Sequence, residues 1–199
     1  MPPVADRELV QIVDSATADA ARRSGHWLLC KPGCTQCCIG VFAITQLDAL
    51  RLREGLRALD ISDPARAAAV RTRARQSVER LTPEFPGDVA TGILHESDDF
   101  DDFANDEPCP ALDPATGTCD LYAARPMTCR VFGPPVRSEG GIGICELCFD
   151  GAGEEEIFAA ELKMDWSPLE DSLNTEAAII SGQQGNTLVA FALEKISDL

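Results

Sequence analysis

The amino-acid sequence predicts a mainly α fold, in which a small helical domain wraps around a cysteine-rich, loop-rich core with one short hairpin. Apolar residues make up 45% of the 199 residues and aromatics only 6%, so Ala, Leu, Val and Ile must build most of the core. Helical periodicity recurs near both ends of the chain. The nine cysteines fall in segments rich in Gly and Pro. The length favours a single domain, residues 1–199, with two small domains as the alternative.

Three helices are predicted in the first half of the chain. Residues 5–24 carry apolar side chains at helical spacing. Thr45 and Asp48 resemble a capping box, which predicts the start of a second helix. The Ser-Asp-Pro sequence at residues 62–64 predicts the start of a third helix that runs to about Leu81. The outer face of this third helix is basic and carries Arg66, Arg71, Arg73, Arg75 and Arg80.

The second half of the chain mixes loops, a hairpin and shorter helices. Residues 82–118 are rich in Pro, Gly and Asp, which predicts irregular structure. In residues 130–144, Gly and Pro bracket short apolar stretches, which is typical of a hairpin. Further helices are predicted over Leu121–Arg125, over 153–163, from Ser167 and from near Asn186 to about Ile196.

The net charge is −16, from 33 acidic and 17 basic residues. This balance argues against a nucleic-acid interface and against binding to anionic membranes, and it leaves a basic protein partner as the compatible macromolecular ligand. The first residues lack the basic and apolar regions of a signal peptide, and no apolar run approaches the ~18 residues of a membrane helix. We therefore expect a cytoplasmic protein without membrane association.

The segment Glu96–Glu107 contains seven acidic residues. It has two interpretations, a site for a cation or basic partner, and a solvated, mobile loop. The loop is favoured, because the segment lacks the glycine and the ligand spacing of an EF-hand.

The cysteines are the main chemical signal. The cytosol keeps thiols reduced, and an odd number does not fit a scheme of paired disulfides. The cysteines form two groups, one within residues 30–38 and one within residues 109–148: Cys30, Cys34, Cys37, Cys38, Cys109, Cys119, Cys129, Cys145 and Cys148.

The spacing within both groups is typical of metal ligation. The first group begins C-x3-C-x2-C and the second ends C-x2-C, and such turns bring sulfurs together. A metal needs several thiolates in its bonding shell, at about 2.3 Å for zinc. We therefore predict a zinc or iron–sulfur site that cross-links residues 30–38 to residues 109–148. His26 and His95 are weaker candidate ligands.

The number of sites is open at this stage. Side chains of consecutive residues usually diverge, so Cys37 and Cys38 could serve different sites, or one of them could be a non-ligand. Nine cysteines could fill two four-cysteine sites with one left over, or one site plus a polynuclear cluster. A redox dithiol at Cys145 and Cys148 is disfavoured, because no βαβ context surrounds it.

The motifs resemble those of the YkgJ-like (CxxCxxCC) family of zinc- or iron-chelating proteins. CKPGCTQCC is similar to the family's first signature, and CPALDPATGTCDLYAARPMTCRVFG with the closing C-x2-C is similar to its second. The resemblance covers roughly residues 26–150, which would form the metal-binding core between flanking helices.

The resemblance implies that all nine cysteines contribute to a metal centre, as zinc or as iron in a form such as a [4Fe–4S] cluster. A related lysine N-methylase of flagellin with the same type of signature is associated with an iron–sulfur centre. It implies an alternative function for this chain, an iron–sulfur-dependent enzyme such as a lysine methyltransferase, or an electron carrier.

Two arginines are predicted to support the metal centre. Several thiolates leave excess negative charge, which the guanidinium groups of Arg125 and Arg130 would offset. An ordinary surface salt bridge is the alternative for Arg130. The hydroxyl of Tyr122 could join the same network or pack only.

Overall fold

A computed structural model describes residues 1–96, 103–138 and 140–194. It confirms the mainly α fold. The helices in these residues are α1 (Asp6–Ser24), α2 (Gln46–Ser62), α3 (Pro64–Leu81), α4 (Met127–Val131), α5 (Glu154–Ala160), α6 (Ser167–Ser181) and α7 (Val189–Glu194). Three antiparallel hairpins pair β1 (Gly87–Asp88) with β2 (Ile93–Leu94), β3 (Leu112–Asp113) with β4 (Thr118–Cys119), and β5 (Val136–Ser138) with β6 (Gly141–Gly143).

The helix starts follow from capping. The Thr45 hydroxyl accepts a hydrogen bond from the Asp48 N–H at 3.2 Å, so the predicted cap of α2 is confirmed. Asp63 caps α3 by accepting from the Arg66 N–H at 3.1 Å, with Pro64 at the first helical position. Each side chain satisfies an amide that has no partner within its helix, a contribution of about 1 kcal/mol.

The hairpin predicted within residues 130–144 is confirmed as β5–β6. The irregular segment 82–118 differs from the prediction, because it contains the short hairpins β1–β2 and β3–β4. The helix predicted over Leu121–Arg125 is a single 3-10 turn, Tyr122–Ala124, and α4 follows it.

The last helix begins at Val189, later than predicted. Ile44 and Thr187 exchange two backbone hydrogen bonds, of 2.8 and 2.9 Å, so the residues before α7 are extended. Residues 195–199, where this helix was predicted to end, lie outside the described residues.

Two compact units divide the chain. Unit 1 comprises residues 1–3, 33–126 and 174–199, and unit 2 comprises residues 4–32 and 127–173. The single-domain interpretation stays a prediction, and the two-domain alternative has the same standing.

Unit 1 is built on α2, α3 and α7, which pack against one another. Leu52 and Leu56 of α2, Val70 of α3 and Leu193 of α7 are buried in one cluster. The Arg53 guanidinium donates to the Ala192 carbonyl at 2.9 Å, which ties α2 to α7. This helical core supports the loops that carry Cys109 and Cys119, since both cysteines pack against the cluster.

In unit 2, α1 packs against α4 and α5. Leu9 and Val13 of α1 are fully buried. Arg23, near the end of α1, donates to the backbone carbonyls of Ala159 and Glu161. Within the described residues, no helix combines the length and the hydropathy needed to cross a membrane.

Gly55 allows α2 to approach the 3-10 turn that follows Cys119. A Cβ atom at Gly55 would clash with the Cβ of Ala124. We expect Gly55→Ala to lower the free energy of unfolding by about 1–3 kcal/mol, because overpacking outweighs the gain in helix propensity. Urea denaturation measures the change. Gly140→Ala is the control, since its nearest neighbour would be 3.9 Å away, and an equal effect of both substitutions would contradict the prediction.

Candidate metal centre

The structure divides the nine cysteines between the two units. Unit 2 contains Cys30, Cys129, Cys145 and Cys148, whereas unit 1 contains Cys34, Cys37, Cys38, Cys109 and Cys119. The division falls inside the first motif, between Cys30 and Cys34. Each unit therefore combines cysteines from both of the sequence groups.

In unit 1, the first group meets the second through backbone pairing. Cys37 and Cys38 lie in the 3-10 turn Gln36–Cys38. The Cys109 N–H donates to the Cys38 carbonyl at 2.8 Å, and Ile39 forms a β-bridge with Pro108. These bonds hold Cys38 and Cys109 side by side, although 70 residues separate them in the sequence.

Cys119 reaches the same region through the hairpin β3–β4. It pairs with Leu112, whose N–H donates to the Cys109 carbonyl at 3.0 Å. At the hairpin turn, Gly117 has φ +66°, and a Cβ there would lie 3.3 Å from the Cα of Gly33. Glycine therefore permits the turn to lie against the loop that contains Cys34.

Three arginines of α3 fix the segment that carries Cys109 and Cys119. Arg66 and Arg73 both donate to Asp120, in contacts of 2.6–3.0 Å, and Arg73 also donates to the Pro110 carbonyl at 2.8 Å. Arg80 donates to both carboxylate oxygens of Glu107, at 2.6 and 3.0 Å. These three arginines recur at a seven-residue spacing and therefore lie on one side of α3. Arg66 and Arg80 are more than half exposed, as the predicted basic outer face requires, whereas only 23% of the Arg73 side chain is exposed.

Part of the acidic segment is structural. Glu107 is buried and paired with Arg80, and it accounts for one acid of Glu96–Glu107. Phe103 packs in the cluster around Phe85 and Phe191. The solvated-loop interpretation is wrong for Phe103 and Glu107, and residues 97–102 lie outside the described residues.

The thiols of unit 1 interact electrostatically. A hydrogen bond with Cys38 lowers the pKa of Cys37 to about 6 and raises the pKa of Cys38. Burial raises the pKa of Cys109 to about 12 and also raises the pKa of Cys119. Negative charge on Cys37 contributes to the raised pKa values of Cys38, Cys109 and Cys119, so a cation would relieve this repulsion.

Arg125 lies near these thiols. Its positive charge makes a small contribution to lowering the pKa of Cys37, and it also acts to lower the pKa of Cys119. The guanidinium lies 4.0 Å from the ring centre of Tyr122 and donates to the Tyr122 carbonyl at 3.1 Å. The predicted role of Arg125 in offsetting thiolate charge stays a prediction that this position supports. Tyr122 is exposed and provides the surface on which Arg125 rests.

In unit 2, Cys145 and Cys148 form a buried turn. The Cys148 N–H donates to the Cys145 carbonyl at 2.8 Å, as expected of a C-x2-C turn. Both side chains lie in an apolar cluster with Phe149 and Ala160. The Leu29 N–H donates to the sulfur of Cys148 at 3.5 Å, which places the start of the first motif against this turn.

Cys30 and Cys129 complete the set in unit 2. Cys129 lies in α4, and the chain then turns at Gly133, where φ is +122°. A Cβ at Gly133 would lie 2.8 Å from the sulfur of Cys30 and 3.2 Å from Leu28. The absence of a side chain at this glycine therefore leaves room for Cys30 next to the α4 turn.

Arg130 is buried, with 1% of its side chain exposed, and its guanidinium donates to both carboxylate oxygens of Asp14 at 2.9 Å. The ion pair links α4 to α1. Because the Arg130 side chain is buried, this ion pair differs from the ordinary surface salt bridge of the alternative interpretation. The predicted role of Arg130 toward the Cys129 thiolate stays a prediction.

The chemistry of these groups fits a thiophilic metal. Each unit supplies at least four thiols, the number that closes a tetrahedral zinc site or binds an iron–sulfur cluster. Among the residues with described positions, no group of three or more Cys, His, Asp or Glu side chains is already arranged around a common point. Ligation would thus require the sulfurs to converge further within each unit. His26 stacks on Trp27, with ring centres 4.4 Å apart.

Asp14, Glu107, Asp120 and Gly133 were not identified from the sequence. The seven-residue spacing of Arg66, Arg73 and Arg80 is the one signal that could have indicated an acidic partner for α3. Nothing local distinguishes Asp120 or Gly133 from other Asp and Gly residues in loops.

A mainly α chain whose compact units each contain cysteines from distant parts of the sequence is a cysteine-cluster protein. This chain belongs to the CxxCxxCC family, whose model is described as a putative zinc- or iron-chelating domain and matches residues 29–148. A search of curated proteins and a search of solved structures each found no match.

Proposed function

We propose that this protein binds zinc or iron through the thiolates of its cysteine clusters. The supporting observation is that each unit combines cysteines from both sequence groups. Cysteines that only fill an apolar core need not come together from distant segments, whereas a metal site commonly takes its ligands from separate segments. The proposed ligands are Cys30, Cys34, Cys37, Cys38, Cys109, Cys119, Cys129, Cys145 and Cys148.

The chain's own residues would position and tune these ligands. Asp120 and Glu107, held by the arginines of α3, fix the loops of Cys109 and Cys119. The Leu29 N–H donates to the sulfur of Cys148 and so helps to fix the position of this ligand. When bound, zinc would supply redox-inert cross-links, whereas an iron–sulfur cluster would add one-electron chemistry. The enzyme, the electron carrier and the basic protein partner stay predictions from the sequence.

Anaerobic purification tests the function directly. We expect at least one zinc or iron per chain by elemental analysis, because thiolate sites of this kind bind metal tightly enough to survive purification. A visible charge-transfer absorption would identify iron, and a colourless metal-loaded protein would identify zinc. The control is the same preparation after treatment with a chelator. A chain that contains less than one metal, and that takes up neither metal on reconstitution, would contradict the proposal.

A further inference from the structure

We infer that metal binding in this chain is divided between two centres that share no ligand, one within each compact unit. The inference rests on the proposed function and deepens it by assigning ligands. Centre 2 takes Cys30, Cys129, Cys145 and Cys148, and centre 1 draws on Cys34, Cys37, Cys38, Cys109 and Cys119. The linear motif suggests a different grouping, because C-x3-C-x2-C would place Cys30 with Cys34 and Cys37.

Contacts in unit 2 place Cys30 in centre 2. Its sulfur lies so close to Gly133, which follows α4 and Cys129, that a Cβ at Gly133 would be 2.8 Å away. The preceding residue, Leu29, donates its N–H to the sulfur of Cys148 at 3.5 Å. Amide-to-sulfur bonds of this type are typical of thiolate metal sites, where they offset charge on the ligand. Residues 28–30 therefore lie against both other cysteine-bearing segments of the unit.

A further backbone bond strengthens this arrangement. The Phe149 N–H donates to the Trp27 carbonyl at 3.1 Å, and Trp27 and Leu28 pack against the cluster that contains Cys145 and Cys148. Cys145 and Cys148 are thus buried in this apolar cluster, whereas Cys30 is exposed and lies next to Gly133, four residues after Cys129. Four thiolates are a complete tetrahedral set, so centre 2 needs no ligand from unit 1.

Centre 1 is supported by its own contacts. The Cys109 N–H donates to the Cys38 carbonyl, and Cys119 lies on the hairpin whose other strand bonds to Cys109. Five cysteines in this unit exceed a tetrahedral set by one. The surplus accounts for the odd number in the sequence and places the ninth cysteine in unit 1.

The boundary between the two units falls between Cys30 and Cys34. The first segment of unit 2 ends at Pro32, and the long middle segment of unit 1 begins at Gly33, which has φ +90°. Side-chain-bearing residues rarely adopt this conformation, whereas glycine does so at little cost. The two cysteines, although neighbours in the motif, therefore belong to different units.

Zinc-protected alkylation tests the grouping in the unmodified chain. Stripped, reduced protein receives increasing zinc under anaerobic conditions, and mass spectrometry then reads which cysteines resist alkylation. We expect two zinc ions per chain at saturation. Cys30 should become protected together with Cys129, Cys145 and Cys148, and at a different zinc concentration from Cys109 and Cys119. Protection of Cys30 in step with Cys34 and Cys37, or saturation at one zinc, would overturn the inference.

Two matched glycine variants provide a second test. Gly133→Ala places a Cβ against the sulfur of Cys30 at a backbone angle that disfavours alanine. We expect it to weaken zinc protection of centre 2 by at least about tenfold, as for other changes beside metal ligands, and to leave centre 1 unchanged. Gly151→Ala is the control, because Gly151 also has positive φ, +75°, but no heavy atom lies within 4 Å of its Cβ position. Equal weakening of both centres by Gly133→Ala, in protein with unchanged helical circular dichroism, would count against separate centres.

The failure of this inference is distinguishable from that of the proposed function. Zinc that protects cysteines in a mixed grouping would disprove the two centres and leave metal binding intact. A chain in which neither zinc nor iron protects any cysteine would disprove both.

Discussion

Removal of the metal is expected to lower the midpoint of thermal unfolding by about 8–16 °C, the largest effect that we predict. Free zinc at a thousandfold excess over its dissociation constant stabilises a folded chain by about 4 kcal/mol for each site, and the stated shift is that for one site. In a chain of this size, 1 kcal/mol corresponds to about 2–4 °C. The structural reason is that ligation would add cross-links between the cysteine-bearing loops of unit 2, which are joined by contacts such as the hydrogen bond from the Leu29 N–H to the sulfur of Cys148.

Scanning calorimetry of zinc-loaded and chelator-treated protein measures this difference. The control is the same chelator saturated with zinc before addition, which should not change the midpoint. Proteolysis gives an independent readout, because the loops that contain Cys30 and Cys148 should be cleaved faster after metal removal. Equal midpoints for loaded and stripped protein would show that the metal does not stabilise the fold.

Asp120→Ala is expected to lower the free energy of unfolding by about 2–3 kcal/mol. Only 4% of the Asp120 side chain is exposed, and it accepts hydrogen bonds from Arg66 and Arg73. Loss of one partner in a buried ion pair costs about 3–5 kcal/mol, and the partial exposure of both arginines reduces this cost. Because Asp120 follows Cys119 directly, the same substitution should also speed alkylation of Cys119.

Urea denaturation and the alkylation rate measure the two effects. Asp60→Ala is the matched control. Asp60 also pairs with an arginine of α3, Arg71, but Asp60 is exposed. An exposed ion pair contributes little, so this variant should be close to the parent protein in both assays. The prediction is contradicted if Asp120→Ala is no more destabilising than Asp60→Ala.

Local sequence signals were sufficient for most of the secondary structure. The caps at Thr45 and Asp63 and the Gly- and Pro-bracketed hairpin act over three to ten residues, so their chemistry is visible in the chain itself. The short hairpins β1–β2 and β3–β4 were missed because strands of two residues carry no periodic pattern. The late start of α7 was missed because it depends on pairing between Thr187 and Ile44, which are distant in sequence.

The candidate site shows the same limit. The sequence determined the chemistry, because nine clustered cysteines with C-x2-C spacing indicate thiolate ligation wherever the chain places them. Only the tertiary structure supplied the contacts on which the proposed grouping rests. Leu29, next to Cys30, bonds to Cys148, the sulfur of Cys30 lies beside Gly133, and Cys109 bonds to Cys38, and sequence spacing cannot relate these segments. The residue type alone indicates thiolate ligands, whereas the set of cysteines that could share one metal depends on how the chain packs.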